Sequence, residues 1–548
     1  MVTRTPIIPA PARITPAVGE FRLVPGATIG YHGPMLAPLA RRFSQDLARR
    51  CGLPLRSVQA ETRQGEAASE APSEASSEGP SPGDGGHAIV VSLGDDADLD
   101  RLPAPLGLHP AGTARDERYL LAIDRAGIRL RAPEPAGLAR GLTTLLQLIA
   151  TTAAAGPAAA GPAPVGGKLA DGAVPLAALR ILDGPRFAWR GLTVDVVRRF
   201  FPPAQIRTLI DLAALYKLDV LHLHLTDDQG WRIEAGRPAS LREPDGSFYT
   251  NDELRTLESY AADRFVTLLP EVDTPGHVLA LLRLRPELSS GRNLVHRSAW
   301  LDPDLPTTFP LMGQVLADLA SLFPGPFLHI GGDEPFGMPD RAYGDYIRRL
   351  KGAVRSLGKQ TVGWQESIRA GADPGHVVQY WMDASSLGAG AELPPPPEVT
   401  ARVRANYQRG RADIEHALAH GVPVIVSPQA HCYFDVPYAE AAADPGQRER
   451  RDQVGLRHYA RQTLEATFDW DPVTTLGADQ VAGVGAALWC ETVRDVDDLT
   501  FLLLPRLAGT AEKAWGPAGA IAWPEHRDSL AQHTRLWEQD GLTFFSAA

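Results

Sequence analysis

The chain has 548 residues, of which 44% are hydrophobic and 22% charged, too long for one small domain and ordinary for a globular protein. A formal net charge of -11 argues against nucleic acid or an anionic membrane surface as partner, and no stretch is apolar for long enough to span a bilayer. The three cysteines, Cys51, Cys432 and Cys490, have neither metal-ligand nor disulfide spacing. Met1–Pro9 holds no apolar leader run, so a cytoplasmic location is the default expectation, or secretion if a leader was omitted.

In chain order, residues 1–11 read as an N-terminal extension and residues 12–150 as a small α+β domain. Its strand-like runs are Ala88–Leu93, Tyr119–Ile123 and the alternating Gly127–Arg131, and Leu138–Ile149 has helical spacing of Leu and Ile. Within it, Glu61–Gly86 is rich in Glu, Ser, Pro and Gly and is expected to be a disordered loop. Residues 151–186, Ala/Gly/Pro-rich at their start, read as a linker.

From Phe187 the texture becomes strand and helix in alternation. Eight strands are predicted: Gly191–Val197, Val220–Thr226, Phe265–Pro270, Phe327–Ile330, Thr361–Trp364, Val377–Trp381, Val422–Ser427 and Val484–Trp489. Helices are predicted at Pro203–Tyr216, Asn251–Ala262 and Tyr343–Leu357, with Pro524–Gln539 as the closing helix. Eight such units make residues 187–548 a (β/α)8 TIM-type barrel, whose chemistry belongs at the C-terminal strand ends. An insertion at about 383–411, containing Pro394–Pro397, follows the sixth strand and is a candidate rim or lid.

The strand ends collect polar and aromatic side chains. Arg198 follows the first strand, Asp227 the second, and Glu271, Asp273 and His277 lie in the third's extension. Asp333 and Glu334 end the fourth, in His329-Ile330-Gly331-Gly332-Asp333-Glu334. Trp364 and Trp381 end the fifth and sixth, Tyr433 and Asp435 follow the seventh, and Trp489 and Glu491 end the eighth. Taken singly, an Arg or Asp at a strand end is as readily half of a structural ion pair. His222 and His224 lie inside the second strand, where a core role is the better reading, although His-x-His can also open a metal site. Adjacent carboxylates repel, so burial of both should raise one pKa and make a proton donor near neutral pH. Neighbouring residues do not easily flank a scissile bond as acid and nucleophile roughly 5–5.5 Å apart. Recurrent tryptophans at the mouth suit the apolar face of a sugar, and acids with aromatics point to carbohydrate.

His329–Glu334 resembles the His-x-Gly-Gly-Asp-Glu signature of glycoside hydrolase family 20, the β-N-acetylhexosaminidases. Trp189–Asp195, Leu221–Trp231, Pro270–His277, Val362–Trp364, Gln379–Trp381 and Leu488–Glu491 resemble further barrel motifs of the family. The resemblance implies an exo-acting, retaining enzyme that releases terminal β-linked GlcNAc or GalNAc through an oxazolinium intermediate, with no metal and no organic cofactor. It implies Glu334 as acid and base, Asp333 as partner of the acetamido N–H and Tyr433 as donor to the acetamido oxygen. Trp364, Trp381 and Trp489 would enclose the acetamido methyl and the sugar face. Arg198, Glu491 and Asp435 would hold ring hydroxyls, and Asp227 and His277 would lie behind Glu334.

Several positions depart from the family pattern. Val197 and Arg199 flank Arg198 where Ser and His are usual, Pro335 follows the catalytic Glu, and His458 replaces an aromatic expected near the outer subsites. Gly541–Phe545 lacks the family's Tyr-Arg ending. Specialisation as a lacto-N-biosidase or a 6-sulfo-GlcNAc hydrolase is the alternative activity. Weaker alternatives are a metal-dependent amidohydrolase using His222, His224, Asp273 and His277, and a non-catalytic sugar-binding barrel.

Overall fold

A computed structural model describes residues 5–60, 86–154, 171–235, 241–295, 298–383 and 397–547, which fall into two compact units. The first unit comprises Met1–Ala104, Arg115–Arg186 and Trp515–Leu542. Its seven-stranded sheet runs in the order Arg13–Leu23, Val174–Asp183, Tyr119–Asp124, Gly127–Ala132, Ile89–Leu93, Thr28–Tyr31 and Arg56–Gln59. Alternation decides which face is covered: Tyr119, Leu121 and Ile123 are buried while their neighbours are half-buried. Helices Ala37–Cys51 and Pro135–Ala154 pack on that sheet.

Three expectations change here. Residues 174–183 of the expected linker form a strand hydrogen-bonded on both edges, to Arg13–Leu23 and to Tyr119–Asp124. The helix expected to close the barrel, Trp523–Gln539, belongs to the first unit and packs on Pro135–Ala154, burying Leu530, His533, Leu536 and Trp537. At its end Asp540 accepts hydrogen bonds from Arg50 Nε at 2.9 Å and Nη2 at 2.7 Å. Conversely, Pro105–Ala114, inside the span read as the α+β domain, belongs to the barrel unit. The Glu/Ser/Pro/Gly loop at 61–85, the start of the linker at 155–170 and the Pro-rich stretch at 384–396 lie outside the described residues. The second half of the expected insertion is helical, as part of Pro397–Ala419.

The second unit is a closed barrel of eight parallel strands in sequence order: Arg190–Asp195, Val220–His224, Thr267–Glu271, Phe327–His329, Gln360–Trp364, His376–Tyr380, Val424–Val426 and Val481–Leu488. All eight lie within a few residues of their predicted positions. They are buried almost throughout, as parallel strands covered by helices must be. Local signals set the helices. Asn251–Ala262 starts at a capping box, in which Thr250 Oγ1 accepts from Glu253 N at 3.3 Å and Glu253 accepts from Thr250 N at 2.9 Å.

One apolar layer fills the floor of the barrel: Trp189, Val220, Leu269, Phe327, Val362, Val377, Ile425 and Ala482. Trp189 fits because the eighth strand is small there; a Cβ on Gly483 would come within 2.4 Å of Trp189 Cβ. Leu108 packs against this layer, its N–H donating to the Ala482 carbonyl at 2.9 Å. The bottom is therefore a packed plug, and polar side chains concentrate at the top.

Gly107 has φ +89°, and a Cβ there would lie 2.1 Å from the Ala482 carbonyl oxygen. Gly107→Ala is expected to destabilise the protein by at least about 1–3 kcal/mol. Gly313, inside helix Thr308–Leu322 with open space around it, should instead gain up to about 1 kcal/mol on change to Ala. Denaturant unfolding of both variants checks the contrast.

Candidate active site

The fourth strand ends at His329, and the chain then turns within two residues. Gly331 and Gly332 have φ +69° and +104°, conformations that favour glycine. Position 331 has no room for a side chain, since a Cβ on Gly331 would fall 1.7 Å from Asp273 Oδ1. That same oxygen accepts from Gly332 N at 3.1 Å. Glu334 itself has φ 45° and His277 has φ 52°, left-handed conformations that cost energy for residues with a Cβ. Gly276 lets the third-strand loop approach, with its Cβ position 2.8 Å from the Asp333 carbonyl oxygen. Strained backbone held by two neighbouring loops thus sets both acids.

The two carboxyls converge on one imidazole nitrogen. His277 Nε2 lies 3.6 Å from Asp333 Oδ2 and 3.8 Å from Glu334 Oε2. His277 Nδ1 is 3.1 Å from Asp227 Oδ1, and Asp227 Oδ2 is 2.7 Å from His224 Nε2 and 2.9 Å from Arg198 Nη2. Burial disfavours a charge on Asp227, but His277, Arg198 and His224 hold its carboxyl well below the usual range. Burial likewise opposes protonation of His277, yet Asp227, Asp333 and Asp273 raise its pKa well above the ordinary value. Desolvation pushes Glu334 up to about 7, His277 opposing and Asp333 adding to the rise. A carboxylic acid poised there can give up and retake a proton near neutrality. Asp333 Oδ1 is buried and meets no hydrogen-bond donor among the described residues, an acceptor open to an incoming N–H.

A second chain of contacts runs down into the barrel. Glu271 Oε2 is 2.9 Å from both His224 Nδ1 and His222 Nε2, and its Oε1 lies 3.1 Å from His329 Nδ1 and accepts from Trp364 Nε1 at 2.8 Å. Several of these groups lie close enough to share a cation: His222, Glu271 and His329; His224, Asp227 and Asp273; Asp273, His277 and Asp333. In the first set the rings already face a carboxylate. Burial and the neighbouring His329 push His222 down to about 4, so it sits there as a neutral ring.

Aromatic side chains form the wall opposite. Tyr433 stacks on Trp381 with centroids 6.2 Å apart and planes 8° apart, and Trp489 lies 5.8 Å from Trp364 and 6.1 Å from Tyr433. Arg198 closes the far side, its guanidinium 5.5 Å from the Trp489 ring and 4.0 Å from Glu491 Oε1. Asp435 is buried, and desolvation with the nearby Glu491 charge pushes its carboxyl well above the usual range. The eleven residues named from the sequence therefore sit on one barrel face. His458 is exposed, in edge contact with Tyr459 at 4.1 Å, and Tyr459 packs against the aromatic wall.

Three further side chains belong to this wall: Glu366, Asn406 and Tyr407. Glu366 is fully buried just past the fifth strand, and Asn406 and Tyr407 reach the wall from helix Pro397–Ala419. Glu366 carried a signal, a carboxyl two residues beyond a strand-end tryptophan. Asn406 and Tyr407 lay within what read as an insertion.

With this geometry in hand, comparison with known proteins is direct. The family model for the glycosyl hydrolase family 20 catalytic domain matches residues 187–518, and that for domain 2 of the same family matches residues 4–161. The chain belongs to glycosyl hydrolase family 20. It is accordingly a glycoside hydrolase of the β-N-acetylhexosaminidase type, acting on N-acetylhexosamine-containing carbohydrate. It is 34% identical to a β-N-acetylhexosaminidase of Cellulomonas fimi over 457 residues, 80% of this chain and 81% of the relative. It resembles a mutant Streptomyces plicatus β-hexosaminidase solved with its product GlcNAc, at TM-score 0.74, 28% identity, and coverage of 99% and 96% of the two chains. A Streptomyces coelicolor β-N-acetylhexosaminidase gives TM-score 0.71 at 29% identity, covering 99% and 97%. No helix among the described residues is long and apolar enough to cross a membrane.

A group that must be protonated loses its contribution to kcat/KM as pH rises through its free-enzyme pKa. With Glu334 near 7 and held down by the His277 cation, His277→Phe should move the basic limb of the kcat/KM profile to higher pH while lowering its maximum. A limb that stays in place would show that the imidazole does not act on Glu334.

Proposed function

We propose that the chain removes terminal β-linked GlcNAc or GalNAc from the non-reducing end by substrate-assisted catalysis, with Glu334, Asp333 and Tyr433 as its catalytic residues. The observation that carries this is the convergence of Asp333 and Glu334 on His277 Nε2, at 3.6 and 3.8 Å. Consecutive acids sharing one cation are suited to different tasks on one side of a substrate, and leave the nucleophile to come from the sugar.

In the first step Glu334 gives its proton to the glycosidic oxygen as the C1–O bond breaks. The 2-acetamido carbonyl oxygen bonds to C1, and the positive charge moves onto the resulting oxazolinium ring. Asp333 accepts the acetamido N–H and offsets that charge at close range. Tyr433 donates its hydroxyl to the acetamido oxygen and aims it at C1. In the second step Glu334, now a carboxylate, takes a proton from water, whose oxygen bonds to C1 as the oxazolinium opens; the anomeric configuration is retained. Trp364, Trp381 and Trp489 enclose the acetamido methyl and the sugar face, while Arg198, Glu491 and Asp435 bind ring hydroxyls. Asp227 holds His277, which sets the proton affinity of Glu334.

Glu334→Gln should lower kcat on an aryl β-N-acetylglucosaminide by about 10²–10⁴-fold, and the parent should turn over the matching plain β-glucoside at a negligible rate. Equal rates on the two glycosides would contradict the substrate-borne nucleophile.

A further inference from the structure

Glu366 is a buried carboxyl at the back of the site with no task in the scheme above. Trp381 Nε1 donates to its Oε2 at 3.1 Å, and Asn406 Nδ2 donates to its Oε1 at 3.0 Å. Glu334 N also points at Oε1, at 3.5 Å, a long contact. Asn406 is held in turn by Arg369, whose Nη2 donates to Asn406 Oδ1 at 3.2 Å and to Asp413 at 2.6 Å. The charged and titratable groups facing Glu366 among the described residues are Asp333, Arg369, Asp413, Tyr343 and Tyr407. Burial and the Asp333 charge push the Glu366 carboxyl up to about 8, a cost that a site devoted only to packing would avoid with an apolar side chain.

One carboxyl thus joins the indole that lines the acetamido pocket to the strained residue that moves the proton. We propose that Glu366 is a positioning residue that fixes the Trp381 wall against the 2-acyl group, so that the reaction selects N-acetyl over larger N-acyl substituents. The inference rests on the substrate-assisted reading. Without the Trp381 and Asn406 bonds the indole can swing, the pocket accepts a longer acyl chain, and the amide oxygen is less well aimed at C1. A misplacement of about 1 Å at such a wall is enough to cost rate and selectivity.

The test measures kcat/KM of aryl 2-acetamido and 2-propionamido glucosides for the parent, Glu366→Gln and Asn406→Ala, with thermal midpoints alongside. The parent should favour N-acetyl. Glu366→Gln should lower the N-acetyl rate mainly through kcat and reduce the acetyl/propionyl ratio at least about fivefold, and Asn406→Ala should shift it the same way by less. Equal losses on both substrates, or an unchanged ratio, would overturn the role of Glu366; if Glu366→Gln does not fold, the ratio in Asn406→Ala decides. A parent that hydrolyses plain glucosides as fast as N-acetylglucosaminides would instead overturn the underlying reading.

Discussion

Two carboxyl groups on consecutive residues cannot be placed independently, and that constraint organises the top of this barrel. Asp333 and Glu334 leave the fourth strand through a turn in which Gly331, Gly332 and Glu334 all have positive φ. The turn is braced by Asp273 Oδ1 on Gly332 N and by the close approach of Gly276. Such a backbone persists only where its surroundings over-determine it. It brings both acids to one nitrogen of His277, and burial leaves Glu334 poised near 7 against the opposing pull of that imidazole.

A shared cation in a buried site needs its own anion, and the molecule continues that logic inward. Asp227 faces His277 and His224, His224 faces Glu271, and Glu271 also accepts from the Trp364 indole. An unpaired buried charge costs several kcal/mol, so each member of this chain is held by the next. The consequence is mechanical as well as electrostatic. His277 and the Trp364 wall are thus anchored to one continuous chain of contacts, His277 at Asp227 and Trp364 at Glu271, with His224 between the two carboxylates. Glu366 makes the corresponding connection on the other side of the pocket, between Trp381 and Asn406.

Much of this was legible in the chain because the local signals are strong and agree. Runs such as Val220–His224 and Val424–Val426 are too short and apolar for helices, and their ends carry the polar residues that chemistry requires. The exceptions share a physical cause, that contacts distant in sequence leave no local mark. Val174–Asp183 follows low-complexity sequence and becomes a strand only by pairing with Arg13–Leu23 and Tyr119–Asp124. Trp523–Gln539 is an amphipathic helix whose pattern states that one face is buried, not against what. Gly107 and Leu108 look like loop residues until the carbonyl of Ala482 accepts from Leu108 N and crowds the Gly107 Cα. Asn406 lies in a helix that starts at the last of four consecutive prolines, Pro394–Pro397, a sequence that by itself signals a loop.

In the proposed reaction the nucleophile is the amide of the sugar and not a side chain. An aryl glycoside whose 2-acetamido group is replaced by a 2-thioacetamido group tests this most directly, because sulfur attack at C1 would give a stable bicyclic thiazoline. Aryl alcohol and thiazoline are expected to form in equal amounts while the intact mass of the protein stays unchanged. A protein mass increased by one sugar residue, located on a carboxylate, would contradict it.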